Sequence, residues 1–252
     1  MDQYTCTADQ FKSAFCYGIK QLSLHRERIN ALNILPVPNG NTGNNLHKTL
    51  LSSLQEMKDE KHLGNLTQQC ARGALFGASG SSGIILANFL IGFSEVIGDK
   101  EIAPLDELLR AVGNGCLKAK STMGEAADGG IFEIGTAVCD GLSSKQPESQ
   151  TLAELITLIH STAGRALESM PPKNDAGALG IFYFIDGLYR YSAAKPLERC
   201  KPELCSPSIT EDISIKGVLY SVEFLLTNVT LPVEEIKKSL SDIGNPILLA
   251  YE

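Results

Sequence analysis

The amino-acid sequence predicts a mainly α-helical protein with eight helices and a small C-terminal β-α-β segment. Two observations indicate the helices. Apolar residues recur at spacings of three and four through the first three-quarters of the chain, and short connections rich in Gly, Pro, Asn or Ser separate these runs. A third observation indicates the β-α-β segment, called the C-terminal appendage below. The helical spacing of apolar residues ends near residue 194, and two apolar runs of strand character follow further on.

The predicted helices follow one another with few residues between them. The stretch after Thr151 shows the pattern most clearly, since apolar residues recur on one face and Thr151 forms a capping-box pattern with Glu154. Pro104 suits the first turn of a helix, where its missing N–H is not needed. The helices are predicted at 8–32, 43–57, 64–78, 82–98, 104–122, 130–143, 151–170 and 177–192.

The C-terminal part is predicted to form a separate small unit. Residues 1–193 make up the helical domain, 194–213 a linker, and 214–252 a strand, a helix within "LPVEEIKKSLSDIG" and a second strand, "NPILLAY". A β-α-β piece of roughly 40 residues cannot bury both faces of its strands by itself. We therefore expect this appendage to dock on the helical domain or to mediate a homodimer.

Composition and charge exclude several functional classes. The chain of 252 residues has a formal net charge of −7, whereas general nucleic-acid binding depends on clustered Lys and Arg. Its longest near-apolar run, "GIILANFLIGF", is shorter than a membrane span, and the first residues lack the features of a signal peptide. The seven cysteines include no Cys-x-x-Cys pair. We expect a reduced, cytoplasmic protein without nucleic-acid partners or membrane insertion.

The first of four unusual loops is "NILPVPNGNTGNN", at residues 33–45. Its two prolines favour an extended entry, its glycines allow tight turns, and its asparagines offer amide oxygens and N–H donors. Two interpretations stay open for this loop taken alone. It is either a turn in which an Asn caps the next helix, or a binding loop.

The other three loops also precede helices. The small residues of "GALFGASGSSG", at 73–83, either expose backbone N–H groups to an anion or allow close helix packing. "GEAADGGIF", around Gly129, is a small-residue hinge that could border a flat ligand. "PPKNDAGALG" places Asp175 just before Gly177, where it either caps a helix or binds a ligand. The four histidines share no spacing, and Ser81 and Ser82 lack the nucleophile-elbow pattern, so the catalytic residues stay unknown.

Two of these stretches carry a resemblance to a known family. "LNILPVPNGNTGNN" and "ARGALFGASGSSGIILAN" resemble "LNxxPVPDGDTGTN" and "ARGALMGARGNSGVILSQ" of the DhaL-like domains, the L-subunits of dihydroxyacetone kinases. The likeness extends over about residues 8–192 and is strongest to the N-terminal domain of bacterial fatty acid kinase. Residues 217–250 resemble the start of that kinase's middle domain.

The resemblance implies a closed barrel of eight up-and-down, antiparallel helices with an ATP site at one end. In such domains two Mg²⁺ ions join the phosphates to Asp carboxylates, and the phosphoryl group passes to a small molecule on a partner protein. The implied partner is a K-subunit-like carrier of dihydroxyacetone or a DegV-type carrier of a fatty acid. The implied nucleotide-binding residues are Asn39, Asn41, Thr42, Asn45, Gly80, Ser81, Ser82, Gly83, Gly129, Gly130, Asp175 and Gly177.

This sequence departs from the family where metal ions are expected. The two Asp of "PDGDTG" are Asn39 and Asn41, and the Asn of "GNSG" is Ser81. Mg²⁺ is usually held through carboxylates, and a unit-charge pair at ~4 Å is worth roughly 4 kcal/mol at a dielectric of 20. We therefore predict weak or lost metal binding at Asn39 and Asn41.

The predicted function is a degenerate DhaL-like, nucleotide-binding domain that acts as a ligand- or partner-binding module, with weak or no Mg²⁺-dependent phosphotransfer. ATP or ADP is its expected cofactor. The alternative is an active ATP-dependent kinase that phosphorylates dihydroxyacetone or a fatty acid on a carrier protein.

Overall fold

The computed structural model describes residues 4–32, 40–58, 61–122, 130–143, 151–170, 175–197, 222, 224, 226–244 and 247–251. Within these residues the chain forms two short strands and ten helices. The strands are β1 (Thr5–Cys6) and β2 (Ala103–Pro104). The helices are α1 (Ala8–Leu24), α2 (Arg26–Ala31), α3 (Thr42–Glu56), α4 (Leu63–Gly77), α5 (Gly80–Ile97), α6 (Leu105–Ser121), α7 (Gly130–Ser143), α8 (Leu152–Ser169), α9 (Ala176–Ser192) and α10 (Val233–Ser241).

The long helices form a closed ring. Helix α1 packs against α3, each helix from α3 to α8 packs against the next, and α9 returns to α1. The fold is therefore mainly α, as the sequence predicts, and every predicted helix of the ring is present within about two residues of its expected bounds, apart from the first. The starts of α3, α5, α7 and α9 come together at one end of this barrel.

The first predicted helix, 8–32, is divided at His25 into α1 and α2. His25 has φ −110° and ψ 6°, and its backbone N–H donates to the carbonyl oxygen of Leu22 instead of continuing the α-helical pattern. Its ring stacks on Tyr183 of α9 with the two centroids 3.7 Å apart. This partner lies far away in the sequence, so local periodicity could not indicate the break.

Aliphatic side chains on the inward faces of the helices form the core. Among the most deeply buried are Leu22, Ile29, Leu46, Leu50, Leu63, Leu66 and Ile97. Helix α5 is long and apolar enough to cross a membrane by length and composition, but 61% of its 18 residues are buried inside the protein. It packs against α4 on one side and α6 on the other, and this burial explains its composition.

A two-stranded antiparallel ladder ties the start of the chain to the connection before α6. Thr5 pairs with Pro104, and Cys6 pairs with Ala103. The sequence did not predict this ladder, because strands of two residues carry no periodicity. It is the β structure among the described residues.

The C-terminal appendage has the predicted helix, α10, but the described residues beside it form no strand. Residues 226–232 and 247–251 are neither helix nor strand, which corrects the strand prediction for these residues, while most of the first predicted strand before 226 lies outside the described residues. A strand needs a neighbour for its N–H and C=O groups, whereas Phe224 and Leu226 are exposed. Most of the predicted linker lies outside the described residues, since these stop at 197 and resume at 222.

The last described segment docks on the barrel, one of the two positions expected for the appendage. The buried Asn88 of α5 donates from Nδ2 to the carbonyl oxygen of Leu249 at 2.9 Å. Lys118 of α6 lies over the ring of Tyr251, with Nζ 5.7 Å from the centroid. The segment 247–251 thus contacts both α5 and α6.

Candidate functional site at one end of the helical barrel

Three close contacts join the starts of α3, α5, α7 and α9. A methyl group at Gly80 would overlap the side-chain amide of Asn45, which places the start of α5 on that of α3. A methyl group at Gly180 would overlap Leu46, which places α9 beside α3. The carboxylate of Asp175, before α9, lies against Gly130, the first residue of α7. The described parts of the four loops singled out in the sequence therefore meet at one end of the barrel.

The first loop leads into α3 through Gly40, whose φ of +61° lies in the left-handed region that favours glycine. Asn41 precedes the helix, but its side chain makes no capping hydrogen bond. Asn30 of α2 supplies that contact instead, because its Oδ1 accepts from the backbone N–H of Asn44 at 3.2 Å. The turn interpretation, with an Asn of the loop as cap, is therefore wrong for Asn41. Thr42 starts α3, and Asn39 lies outside the described residues.

The side chain of Asn45 links Asn41 to the second loop. Nδ2 of Asn45 donates to Oδ1 of Asn41 at 3.1 Å, and the hydroxyl of Ser79 donates to Oδ1 of Asn45 at 3.3 Å. Thr49 adds a further link, since its Oγ1 accepts from the backbone N–H of Ser79 at 3.3 Å. These three side chains, Asn41, Asn45 and Ser79, are called the amide bridge below. It joins the two motifs that are most specific to the family.

Glycines of the second loop have packing roles. A methyl group at Gly73 would lie 2.5 Å from the carbonyl oxygen of Ser52, and one at Gly83 would lie 2.6 Å from Oγ1 of Thr49. Close helix packing, one of the two interpretations of this loop, is therefore present. Ser81 is exposed and Ser82 is half-buried at the start of α5. Their N–H groups belong to the first turn, where helix dipoles favour anions.

The third and fourth loops share one carboxylate. Oδ1 of Asp175 accepts from the backbone N–H of Ala178 at 3.0 Å and caps α9. Gly130 has φ +56°, and a side chain there would overlap Asp175. A methyl group at Gly177 would lie 2.8 Å from Oδ1 of the same carboxylate, while Gly129 is outside the described residues. Asp175 thus caps one helix and lies at the start of another.

The described part of this end contains few groups that bind cations. The described residues include no group of three or more His, Cys, Asp or Glu that could hold a metal ion. The amide bridge offers neutral oxygens that already accept hydrogen bonds. Burial and the nearby Arg26 lower the pKa of His47, one turn into α3, so its imidazole is neutral at pH 7.

A large apolar cavity occupies the barrel between α1 and α5–α9. Its volume is about 1340 Å³, and aliphatic and aromatic side chains dominate its lining, among them Phe15, Leu90, Phe93, Ile134, Leu155 and Ile185. The sequence showed the apolar faces of these helices, but it could not show that they leave space between them. This volume lies above the range of about 300–1,000 Å³ that is usual for small-molecule sites.

A buried polar cluster on α1, α8 and α9 was also missed, because its members lie far apart in the sequence. Asp186 accepts from Nε2 of Gln21 at 2.9 Å, from Nε of Arg190 at 2.7 Å, and lies 3.0 Å from Nε2 of His160. Burial alone would raise the pKa of Asp186, but the hydrogen bonds from His160 and Arg190 outweigh it and lower that pKa.

Comparison with known proteins gives the same family as the motifs. The DAK2 domain family matches residues 36–190. An uncharacterized protein of Staphylococcus saprophyticus is 23% identical over 263 residues, which cover 95% of this chain and 48% of the relative. Uncharacterized proteins of Staphylococcus epidermidis and Staphylococcus aureus are each 22% identical, with the same coverage.

The chain spans about half the length of these curated relatives. The DAK2 match covers more than half of the chain and includes the described parts of all four loops. The fold, a closed ring of helices, agrees with the one that the resemblance implied. The protein therefore belongs to the DAK2 domain family, the DhaL-like domains of dihydroxyacetone kinases.

Proposed function

We propose that this protein is a degenerate DhaL-like domain that binds ligands without efficient Mg²⁺-dependent phosphotransfer. The amide bridge is the observation that carries this proposal. One of its members, Asn41, stands where the family's motif has a metal-binding Asp, and hydrogen bonds join Asn41 through Asn45 to Ser79.

The described residues do not fit a pair of Mg²⁺ ions. Oδ1 of Asn41 faces the positively polarised amino group of Asn45, so a cation at this oxygen would meet an N–H donor and no negative charge. A carboxylate at position 41 could accept the same hydrogen bond and still offer a charged second oxygen. Asp175, the carboxylate at the neighbouring helix starts, already caps α9.

The same end of the barrel retains features that suit a phosphate group. The starts of α3 and α5 lie together, and the positive ends of their dipoles attract anions without a metal. Ser81 and Ser82 add hydroxyl donors at the start of α5. These features support ATP or ADP binding that depends little on Mg²⁺.

The interior supports an apolar ligand. The cavity of about 1340 Å³ is lined mainly by aliphatic and aromatic side chains, and water in such a space finds few hydrogen-bond partners. A linear acyl chain is the simplest ligand for this chemistry. Burial of each additional CH₂ group contributes ~0.8 kcal/mol, so two more carbons should tighten binding by roughly tenfold or more.

Calorimetry with ADP and ATP tests the metal part of the proposal. For the natural chain, we expect Mg²⁺ to change nucleotide affinity little. For the variant Asn39→Asp/Asn41→Asp, Mg²⁺ should tighten binding, since a cation paired with a carboxylate gains roughly 1–3 kcal/mol or more. The matched control is Asn44→Asp, which adds a charge at an exposed side chain of the same helical turn. Tight, Mg²⁺-dependent binding by the natural chain would contradict the proposal.

A series of fatty acids tests the apolar ligand separately. Delipidated protein is titrated with acids of increasing chain length, and the affinity should rise with each CH₂ and level off once the cavity is full. Mg²⁺ and nucleotide should leave this trend unchanged. Affinity that is independent of chain length would show that the acids do not enter the interior.

The convergence of helix starts with Asp175 favours the alternative, an active kinase. Its test is phosphate transfer from radiolabelled ATP to a fatty acid on a DegV-type carrier, with a K-subunit-like carrier of dihydroxyacetone as the second acceptor. We expect the natural chain to transfer no more phosphate than is seen with the carrier and ATP alone. Turnover by the natural chain would replace the binding-module proposal with the kinase.

A further inference from the structure

Two cysteines that are 23 positions apart in the sequence meet where α6 packs against α7. Cys116 of α6 and Cys139 of α7 are in side-chain hydrogen-bond contact. Sγ of Cys116 also lies 3.7 Å from the carbonyl oxygen of Gly135, one turn before Cys139. A methyl group at Gly135 would lie 3.5 Å from the Cys116 sulfur, an ordinary van der Waals contact, so this sulfur lies against α7.

Both thiols are reachable from the apolar interior. Cys116 and Cys139 are half-buried, and both line the large cavity. Cys139 also lines a smaller cavity of about 260 Å³, beside Leu109, Arg110 and Gly113. A methyl group at Gly113 would meet no described atom within 4 Å, so open space borders the pair on the α6 side.

The hydrogen bond gives the two sulfurs different properties. The Cys116 thiol lowers the pKa of Cys139 by hydrogen bonding, and this outweighs the opposing effects of burial and Asp140. The pKa of Cys116 is raised, first by its hydrogen bond with Cys139 and then by burial. Cys139 also borders both cavities, whereas Cys116 borders only the large one, so Cys139 is assigned as the nucleophile of the pair, in its reactive thiolate form. Burial raises the pKa of Cys6 to about 12 and also raises that of Cys70, so these two are inert by comparison.

We propose that Cys116 and Cys139 form a redox-active dithiol that reduces organic hydroperoxides reaching it through the apolar cavity. The Cys139 thiolate attacks the terminal peroxide oxygen: an S–O bond forms, the O–O bond breaks, and the alkoxide leaves with a proton as an alcohol. The Cys116 sulfur then attacks Sγ of Cys139, so that the S–S bond forms and water leaves. In total, two thiols and one hydroperoxide give one disulfide, one alcohol and one water. A dithiol reductant restores the pair.

This inference does not depend on nucleotide binding. It uses a different wall of the barrel from the helix starts and requires only that the interior admits an apolar molecule. A failure of the calorimetry described above would leave it unaffected.

The test uses the full chain with Cys16, Cys200 and Cys205 replaced by Ser, which leaves Cys6, Cys70, Cys116 and Cys139. The protein is treated with cumene hydroperoxide or with hydrogen peroxide, and intact mass and peptide mapping follow the products. We expect a loss of about 2 Da and a single linked peptide pair that contains Cys116 and Cys139. Relative to the same protein unfolded in urea, the rate ratio of cumene hydroperoxide to hydrogen peroxide should rise by about tenfold or more, because an apolar cavity concentrates the aromatic peroxide.

Two single variants in the same background assign the roles. Cys116→Ser should stop at a sulfenic acid on Cys139 that dimedone traps, whereas Cys139→Ser should lose fast oxidation altogether. A matched control, Cys70→Ser, should form the disulfide at the rate of the parent. The proposal is overturned if no link between Cys116 and Cys139 forms, if Cys139→Ser reacts as fast as the parent, or if folding does not raise the rate ratio. Circular dichroism of each variant confirms that it is folded, so that loss of reaction is not loss of structure.

Discussion

Replacement of Asp186 by Asn should destabilise the protein strongly at neutral pH. The carboxylate is buried and accepts hydrogen bonds from Gln21 at 2.9 Å and Arg190 at 2.7 Å, and it lies 3.0 Å from His160. An amide keeps one oxygen but places an NH₂ group among donors and leaves the Arg190 charge without its partner. Breaking a buried ion pair in this way costs 3–5 kcal/mol.

The expected loss of stability lies at the lower end of this range, because the cluster is partly exposed to water. The side chains of Arg190 and His160 are 13% and 23% exposed, so solvent compensates part of the lost interaction. We therefore expect a decrease of about 3 kcal/mol in the free energy of unfolding at pH 7.

The loss of stability caused by Asp186→Asn should also depend on pH and should be smaller in acid. The folded-state pKa of Asp186 is lowered, so its contribution to stability is fully present above the unfolded value of about 3.9 and is lost as pH falls through the folded value. Urea unfolding of the natural chain and Asp186→Asn at pH 7 and at pH 3 or below measures both effects. The difference between the two proteins should shrink at the lower pH, where the carboxylate begins to be protonated.

Asp99→Asn serves as the control, since Asp99 is exposed, and it should change stability by less than about 0.5 kcal/mol. A cost below about 1 kcal/mol for Asp186→Asn at pH 7 would refute the reasoning, because it would mean that the cluster is solvated as a surface pair is. A cost of equal size at both pH values would show that the carboxylate charge is not its source.

Three further changes test other contacts. Gly130→Ala should lower the free energy of unfolding by about 2 kcal/mol or more, because φ is +56° and the new methyl group overlaps Asp175. The control, Gly113→Ala, lies in open space and should leave thermal stability nearly unchanged or raise it. Equal effects of the two substitutions would contradict this prediction. Thr151→Ala should cost about 1 kcal/mol through loss of the capping box of α8, as measured by urea unfolding; a cost near zero would show that the cap is not needed. Truncation after residue 244 should lower the melting temperature, because it leaves the buried Nδ2 of Asn88 with one acceptor fewer. The expected loss in the free energy of unfolding is about 1–3 kcal/mol. An unchanged melting temperature would show that the docked segment adds no stability.

Features that depend on neighbouring residues could be predicted from the sequence. The capping box at Thr151 and the Asp175 cap of α9 are present as the pattern indicates, since each joins groups three positions apart. The helix bounds agree for the same reason, apart from the first predicted helix, which is divided at His25. The described residues of the predicted strands beside α10 are not in strands, because strand formation needs a distant partner that no local pattern records; the rest of the first predicted strand lies outside the described residues.

The nucleotide-binding residues stay a prediction from the family motifs, although the structure brings the described ones to one end of the barrel. The sequence by itself determined the helices, their order and the family, because helical periodicity, caps and motifs are written in local patterns. Tertiary structure alone decided that Asn30 rather than Asn41 accepts from the first turn of α3 and that Cys116 meets Cys139. It also decided that Asp186 contacts three partners and that a cavity lies between α1 and α5–α9. Each of these features depends on side chains from helices that are far apart in the sequence, and local sequence patterns carry no information about such contacts.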